Sequence, residues 1–403
     1  TAKGEKYQAN YIVDAGGFRS LLAEKFDLRD FDLQTNTRGI FTHMVDVPCF
    51  HDVSFSKEEN RVPFRWSEGT LHHLFEGGWL WVIPFNNYAE ATNPVVSVGL
   101  LLDPRVHPAS KDISPEEEFY GFIEQFPGIK KQFTDAKPIR GWVRAERLQY
   151  SAKHVVGDRF ALLGHAVGFI DPIYSKGLYV THITIMLLAD LLLKANKTGD
   201  YSVTAFAPLE EITFNYVKMH DRLAANSIKS WSNYKLWRVY SVQWLLGAYL
   251  EYLMLSVARM RAKNRTDYID LLKNNRLAGG GFEGFFELQE KVDTLFEQVS
   301  PDDEADVDRM VAKANALLRG FKWLPLPFNA ILDGKNHLPK GKLRLTLFNK
   351  EDGFMGNGAY KEHFFGEMTM LDLLSQGARD QIRYARPLLK WRRKKQARLS
   401  WGK

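Results

Sequence analysis

The hydrophobic pattern at the start of the chain predicts a strand, a glycine turn and a helix. The run NYIVDA at residues 10–15 is short, rich in β-branched residues, and stops at Gly16 and Gly17. The following SLLAEKF has apolar residues three and four positions apart, which is the spacing of an amphipathic helix. We therefore expect an α/β arrangement at this end of the chain.

From about residue 39 to 102 the pattern changes to short strand-like runs. FTHMVDV, TLHHLFE, WLWVIPF and VVSVGLLL are rich in β-branched and aromatic residues, and Pro, Asn and Gly separate them. An antiparallel sheet fits these runs better than a crossover fold does.

The later pattern is mainly helical. In ISPEEEFYGFIEQF, Ser114 precedes Glu117 by three residues, as in a capping box that opens a helix. RFALLG at 159–164 indicates a buried strand, and GLYVTHITIMLLADLLLKANKTG at 177–199 a helix closed by Gly199. Beyond residue 200 we expect a helical, Trp-containing region that packs against the sheet.

The composition is that of an ordinary globular protein and excludes disorder and fibres. The chain has 403 residues, of which 45% are hydrophobic and 25% charged. Cys49 is the single cysteine, so no intramolecular disulfide can form. A reducing compartment follows most simply, and we expect a cytoplasmic location.

Charge argues against a nucleic-acid partner, and hydropathy argues against a transmembrane segment. The net charge is +6, but much of the excess lies in the last segment, residues 386–403, and such tails are usually solvated. We therefore expect no nucleic-acid partner. His182 and Asp190 interrupt one long apolar run, and Gln243 and Glu251 another, so we expect no transmembrane segment.

The stretch LLGHAVGFIDPIYSKGLYVT at 162–181 is the first candidate site. A buried strand that stops at Gly164 ends where open α/β folds bind ligands, and glycines let backbone approach a cofactor. The helix that follows presents unpaired N–H groups near Ser175, Lys176 and Gly177, which favour an anion. A glycine-rich turn without any ligand is the alternative on these grounds.

Trp79 and Trp81 form the second candidate. They alternate on a predicted strand and so point to the same face, where two large rings followed by Pro84 make a rigid wall. The core of a buried sheet would explain them equally well.

Three stretches together resemble the flavin-dependent halogenases, within the flavin-dependent monooxygenase superfamily. GHAVGFIDPIYSKG is similar to the second flavin-contacting segment, YIVDAGGFRS to a strand and turn, and GGWLWVIPF to the Trp-x-Trp-x-Ile-Pro signature. The resemblance implies an α/β fold like that of FAD-binding monooxygenases, with an antiparallel substrate-side β-sheet and a helical C-terminal region. The implied regions are 1–38 and 141–199 for FAD, 39–140 for the substrate-side sheet, and 200–403 for the helices and basic tail.

The resemblance also implies site residues. Those expected to bind the cofactor are Asp14, Gly164, His165, Gly168, Phe169, Ile170, Asp171, Pro172 and Gly177. Those expected to bind halide are Ser175, Lys176 and Gly177. Those expected to line the passage between flavin and substrate are Trp79, Trp81, Ile83 and Pro84.

The implied activity is halogenation of an electron-rich aromatic compound through hypohalous acid, with FADH2, oxygen and halide. The substrate would be phenol-like, pyrrole-like or carrier-bound. A separate flavin reductase would supply FADH2, and the basic, Trp-containing tail could dock an acidic acyl-carrier protein. Two alternatives stay open: a flavin-dependent monooxygenase or oxidoreductase of the same fold, and a non-catalytic scaffold that has lost turnover.

The sequence departs from the family pattern in four ways, one of which is that Lys176 fills a position that is often small. His165 stands where an Asp is usual, and Tyr174 stands where tryptophan halogenases carry a catalytic Glu. Nothing ahead of residue 10 supplies the Gly-x-Gly-x-x-Gly turn for the FAD pyrophosphate. We therefore expect a chain that lacks its N-terminal FAD-binding portion, and with it the catalytic Lys.

Two patterns resemble binding sites that we do not expect, one for a dinucleotide and one for a metal. Residues 279–284, GGGFEG, match the dinucleotide pattern by letter, but a charged helical stretch precedes them, and we predict a loop. His72 and His73 alternate across a strand, and no ligands lie at zinc spacing, so we expect no metal.

Overall fold

The structure is a computed structural model that describes residues 4, 6–54, 65–88, 90–110, 112–334 and 358–379. The basic tail at 386–403, to which the sequence assigns much of the positive charge, lies outside these residues. The strands are β1 Ile12–Asp14, β2 Arg29–Asp30, β3 Arg38–Val45, β4 Leu71–Phe75, β5 Gly78–Pro84, β6 Val96–Leu102, β7 Lys137–Pro138, β8 Val143–Ala145, β9 Ser151–Ala152, β10 Val156–Gly157 and β11 Phe160–Leu162. The helices are α1 Leu21–Lys25, α2 Phe50–Val53, α3 Pro115–Ile123, α4 Pro127–Gln132, α5 Gly177–Thr198, α6 Val203–Ser230, α7 Tyr234–Arg261, α8 Arg265–Leu272, α9 Glu283–Gln298, α10 Glu304–Gly320, α11 Leu326–Leu332 and α12 Ala359–Phe365.

A small sheet joins the two ends of the α/β part. β1 and β11 pair in parallel, with Asp14 opposite Leu162, and β10 pairs antiparallel with β11. The carboxyl ends of β1 and β11 therefore lie side by side. Because of this pairing, the turn at Gly16 and the turn at Gly164 open onto the same edge of the sheet.

The predicted antiparallel sheet forms from the four runs that the sequence indicated. β4, β5, β6 and β3 are neighbours in that order, and β7 and β8 both pair with β3. Alternation divides its two faces: Leu80 and Val82 pack into a core with α3 and α4, whereas Trp79 lies in the larger core on the other face. The predicted capping box of Ser114 and Glu117 opens α3.

The helical region packs directly on the α/β part, as the sequence predicted. The larger hydrophobic core joins Leu162 of β11 and Leu187 of α5 to Tyr216 of α6 and Leu246 of α7. α5 ends at Gly199, whose φ of 76° is the left-handed conformation that a glycine C-cap adopts.

Among the residues that the structure describes, α5 is the one helix whose length and composition would allow it to cross a membrane. It has 22 residues, and its most apolar window has a mean hydropathy of 1.6. Composition alone therefore does not support the expectation that His182 and Asp190 interrupt this run enough to exclude a span. Core helices that are mostly buried pass the same test, whereas 28% of this window is buried, including Ile183, Leu187 and Leu188.

Candidate functional site

A cavity of about 910 Å³ lies where the two sheets and the helices meet. Its sheet wall consists of Thr70, His72, Trp79, Trp81, Ile83 and Ser97. Its glycine wall consists of Gly16, Gly17, Gly164, His165 and residues 168–172. Its helix wall includes Ser175, Lys176 and Gly177 at the start of α5, and four residues of α6. The cavity thus brings together the two candidate stretches that are about 80 residues apart in the sequence.

The first glycine turn is held in place by Asp14. The Asp14 carboxylate accepts hydrogen bonds from the Gly16 N–H at 2.8 Å, the Ser20 hydroxyl at 2.7 Å and the Leu22 N–H at 2.9 Å. These bonds hold the pKa of Asp14 below its ordinary value, although burial acts the other way. Asp14 is not part of the cavity lining. Its carboxylate instead fixes the turn through which Gly16 and Gly17 reach the cavity.

The second glycine segment follows β11. Gly164 has a φ of 57°, which side chains other than glycine rarely adopt. Gly168 is required for packing, because a Cβ there would lie 2.7 Å from the Tyr150 carbonyl oxygen. The Phe169 N–H donates to the Tyr150 carbonyl at 2.9 Å and the Tyr150 N–H to the Phe169 carbonyl at 3.0 Å, which holds this segment against Tyr150. The His165 ring stands edge-on to the Phe169 ring, with 5.3 Å between centroids.

The start of α5 is open toward the cavity. Ser175 has a φ of 52°, and its N–H already donates to the Pro172 carbonyl at 3.0 Å. A Cβ at Gly177 would meet a single atom within 4 Å, His165 Nε2 at 3.4 Å. The first N–H groups of a helix have no partner within that helix. Those of the first turn, and not that of Ser175, are therefore the donors available to an anion.

The ammonium of Lys176 is already paired. It lies 2.7 Å from the carboxylate of Glu251 on α7, whose side chain is 2% exposed. Burial raises the pKa of Glu251 to about 7, although the nearby Lys176 charge lowers it. Lys176 lines the cavity, while its ammonium donates to Glu251 on α7.

Neighbouring residues fix both rings of the Trp pair. Trp79 and Trp81 lie with their ring centroids 5.7 Å apart and their planes inclined by 52°. The Trp81 indole N–H donates to Ser97 Oγ at 3.1 Å, and its ring covers Gly99, where a Cβ would lie 2.0 Å from the ring. Gly99 is therefore the residue on β6 that allows Trp81 to lie flat on the sheet.

Asp171 is a buried acid with an unused oxygen. One oxygen accepts the Ile173 N–H at 2.9 Å, and the other has no hydrogen-bond partner in the described part of the chain. Burial raises the pKa of Asp171 to about 7. The Trp79 indole N–H acts against that rise but does not complete a hydrogen bond, and its nitrogen also lacks a partner among the described residues.

Besides Asp14, the predicted residue Pro84 lies outside the cavity lining, and so does Tyr174. Pro84 pairs with Val96 in the sheet and borders a different, smaller hollow near Cys49. Tyr174, which replaces the catalytic Glu of tryptophan halogenases, is buried outside the lining and hydrogen-bonds the Ser227 hydroxyl.

Sequence reasoning missed the residues of α6 and the role of His72. Thr213, Tyr216, Val217 and His220 line the cavity at positions three, four and seven apart, a spacing visible in the sequence but shared by every amphipathic helix. His72 also lines the cavity, with its ring 4.8 Å from that of Trp79. Burial lowers the pKa of His72 to about 4, so it is neutral at pH 7. No group of metal ligands exists among the described residues.

The residues present fit a flavin ring. The glycine wall contains four glycines that leave backbone open to a ligand, Phe169 and Pro172 add apolar surface, and the start of α5 supplies N–H donors. The unpartnered polar atoms of Trp79 and Asp171 are the groups that a polar ring edge would satisfy.

Known proteins are similar to this chain in sequence. The sequence model of the tryptophan halogenase family matches residues 1–221. The chain is 43% identical over 279 residues to a monodechloroaminopyrrolnitrin halogenase of Pseudomonas fluorescens, covering 68% of this chain and 48% of that protein. It is 45% identical over 238 residues to tetracycline 7-halogenase of Kitasatospora aureofaciens, covering 59% and 43%. The chain therefore spans about half the length of the curated relatives it matches.

Solved structures agree with the fold predicted from the resemblance. The halogenase PltM in complex with phloroglucinol and FAD superposes with a TM-score of 0.74 at 30% identity, covering 81% of this chain and 66% of that chain. PltM alone gives a TM-score of 0.76 at 30% identity, covering 84% and 68%. On the family match and the fold together, this chain belongs to the tryptophan halogenase family of flavin-dependent halogenases.

Proposed function

We propose that this protein halogenates an electron-rich aromatic compound, using FAD in its reduced form, oxygen and a halide. The observation that carries the proposal is the cavity itself, in which the Trp79 and Trp81 wall faces the glycine wall and the start of α5. The names of the relatives support it, since each is a halogenase.

The glycine wall would hold the cofactor. Gly164, His165, residues 168–172 and Gly177 would lie against the flavin, and Asp14 would contribute by fixing the turn at Gly16. Bound FAD, in its reduced form, would activate oxygen and so supply the oxidising power. A separate reductase would deliver FADH2.

Backbone N–H groups would bind the halide. The N–H of Ser175 and the ammonium of Lys176 are engaged by Pro172 and Glu251 respectively. The N–H groups of the first turn of α5, starting at Gly177, are left for the anion, and the helix dipole favours it there. In this arrangement Lys176 contributes charge at longer range rather than a direct contact.

The Trp pair would shape the path from the oxidising centre to the substrate. Trp79 is 1% exposed and fixed by its neighbours, so it excludes water from one side of the cavity. Trp81, held by Ser97, leaves an apolar surface on which a flat aromatic ring can lie. A phenol-like or pyrrole-like ring, free or tethered to an acyl-carrier protein, fits that surface.

A product assay tests the function. The full-length protein is mixed with FAD, a flavin reductase, NADH, oxygen and bromide, and a panel of phenols and pyrroles is examined by mass spectrometry. We expect products with the paired isotope lines of bromine, and none when bromide is omitted. Oxygen insertion without bromine would instead assign the protein to the hydroxylases, and flavin binding without any product would favour a scaffold.

A further inference from the structure

Helix α6 presents one mixed stripe to the cavity. Thr213, Tyr216, Val217 and His220 lie on the same face of the helix, and all four line the cavity. Their side chains offer a hydroxyl, a phenol, an apolar group and an imidazole. The stripe therefore offers hydrogen-bonding groups in addition to the apolar contacts that an aromatic ring needs.

His220 is the member of this stripe whose hydrogen bonding is incomplete. The Thr213 hydroxyl donates to the Leu209 carbonyl at 2.6 Å, and the Tyr216 hydroxyl lies 3.5 Å from that of Tyr179. His220 Nε2 is buried and has no hydrogen-bond partner within the described residues. A buried polar atom without a partner costs about 1–3 kcal/mol, so a ligand that supplies one gains affinity.

The surroundings of His220 determine what Nε2 can do. Burial lowers its pKa to about 4, and the Lys176 charge adds to that effect, so the ring is neutral at pH 7. The Asp171 backbone carbonyl acts the other way, because it attracts a proton on the ring. A neutral imidazole carries one proton. Since Nε2 has no hydrogen-bond partner among the described residues, Nδ1 is the nitrogen that faces the Asp171 carbonyl, and with the proton there Nε2 is an acceptor.

We propose that His220 Nε2 accepts a hydrogen bond from an O–H or N–H group on the ring of the aromatic substrate. The inference rests on the proposed halogenase function and narrows its substrate class to rings that carry such a donor. An acceptor at this atom draws the O–H or N–H proton outward, which increases electron density in the ring where the electrophile attacks. His220 is then a substrate-binding residue that also selects among substrates.

Binding of a matched pair of compounds tests this role. The full-length protein loaded with FAD is titrated calorimetrically with phloroglucinol, which has ring hydroxyls, and with 1,3,5-trimethoxybenzene, which has none. We expect the wild type to prefer phloroglucinol at least tenfold, and His220→Phe to reduce that preference at least fivefold. His220→Gln, which keeps an acceptor, should retain most of it. His182→Phe is the matched control, because His182 is exposed on α5 outside the cavity lining.

The outcomes separate this inference from the proposed function. Equal preference in wild type and His220→Phe, or a wild type that binds neither compound, overturns the role of His220. Thermal unfolding and FAD titration of each variant show whether a lost preference in His220→Phe reflects misfolding. If it does, the preference measured for His220→Gln decides whether His220 has this role. If brominated product forms but His220→Phe leaves the preference for phloroglucinol unchanged, the role of His220 is rejected and the halogenase function stands. If the preference depends on His220 but no brominated product forms, the role of His220 stands and the halogenase function is rejected.

Discussion

Two glycine-rich segments of this chain look alike in sequence and differ in what surrounds them. In residues 164–177, a Cβ at Gly177 would meet a single atom, at 3.4 Å, and the residue faces the cavity. In residues 279–284, a Cβ at Gly279 would lie 2.2 Å from the Phe285 ring, and one at Gly280 would lie 2.6 Å from the Leu250 carbonyl oxygen. The second segment contains a 3₁₀ turn at Gly279–Gly281, packed on α7, and the first two residues of α9.

The comparison separates two reasons for a glycine. Where protein atoms fill the space of the missing Cβ, the glycine allows close packing. Where that space opens onto a cavity, the glycine leaves room for a ligand. The segment at 279–284 matches the dinucleotide pattern by letter, yet protein atoms fill the space beside Gly279 and Gly280, and its first three residues form a 3₁₀ turn where the sequence predicted a loop.

The largest expected effect on stability comes from the packed segment. Gly280→Ala introduces a Cβ into the Leu250 carbonyl and strains a residue with a φ of 60°. Left-handed backbone and overpacking together should lower the free energy of unfolding by about 2–5 kcal/mol. Denaturant unfolding measures the loss. Gly121→Ala in α3, where no atom lies within 4 Å of the added Cβ, should cost nothing, and equal losses in both variants would contradict this interpretation.

A smaller effect should appear in the pH dependence of stability. It arises from Asp171, the buried acid in residues 164–177, which we call the open segment. Burial raises the pKa of Asp171 in the folded protein from 3.8 to about 7. Between these values the folded protein holds a proton that the unfolded chain has released, so stability falls as pH rises through this range. One pKa unit corresponds to about 1.4 kcal/mol. The free energy of unfolding should therefore fall by up to about 4 kcal/mol over this pH range.

Asp171→Asn removes this titration and keeps the acceptor for the Ile173 N–H. Unfolding free energies of both proteins at pH 4.5, 6 and 7.5 should show the variant gaining on the wild type as pH rises. A difference that stays constant with pH would mean that Asp171 is ionised throughout, with a partner for its second oxygen.

Local signals made much of the fold predictable. The capping box at Ser114, the C-cap at Gly199 and the alternation of Trp79 and Trp81 depend on residues a few positions apart, and each lies where the sequence predicted it. The resemblance supplied the overall arrangement, which the superposition on PltM supports.

The rest of the site depends on contacts between distant parts of the chain. Glu251 lies 75 residues from the Lys176 that it pairs with, and nothing in the spacing connects them. Gly99 acts on Trp81 across a strand pairing that the sequence does not specify. His220 looks like any polar residue on a long helix until α6 is placed against the glycine wall. Such residues become visible only when the packing is known.

The open segment should respond to the same kind of change in the opposite way. Gly177→Leu places a side chain in the cavity at the first position of α5, where helix propensity favours Leu over Gly. The free energy of unfolding should therefore stay within about 1 kcal/mol of wild type. Flavin affinity should fall at least tenfold, because the side chain occupies space that the glycine leaves open.

Fluorescence titration of the full-length protein with FAD, at several bromide concentrations, measures this change. Gly280→Ala supplies the contrast, since its folded fraction should bind FAD as the wild type does. If Gly177→Leu binds FAD and bromide normally, the open space beside His165 does not belong to the ligand, and the flavin must be placed elsewhere along the glycine wall. If affinity falls while stability holds, the two glycine segments differ in function as they do in packing.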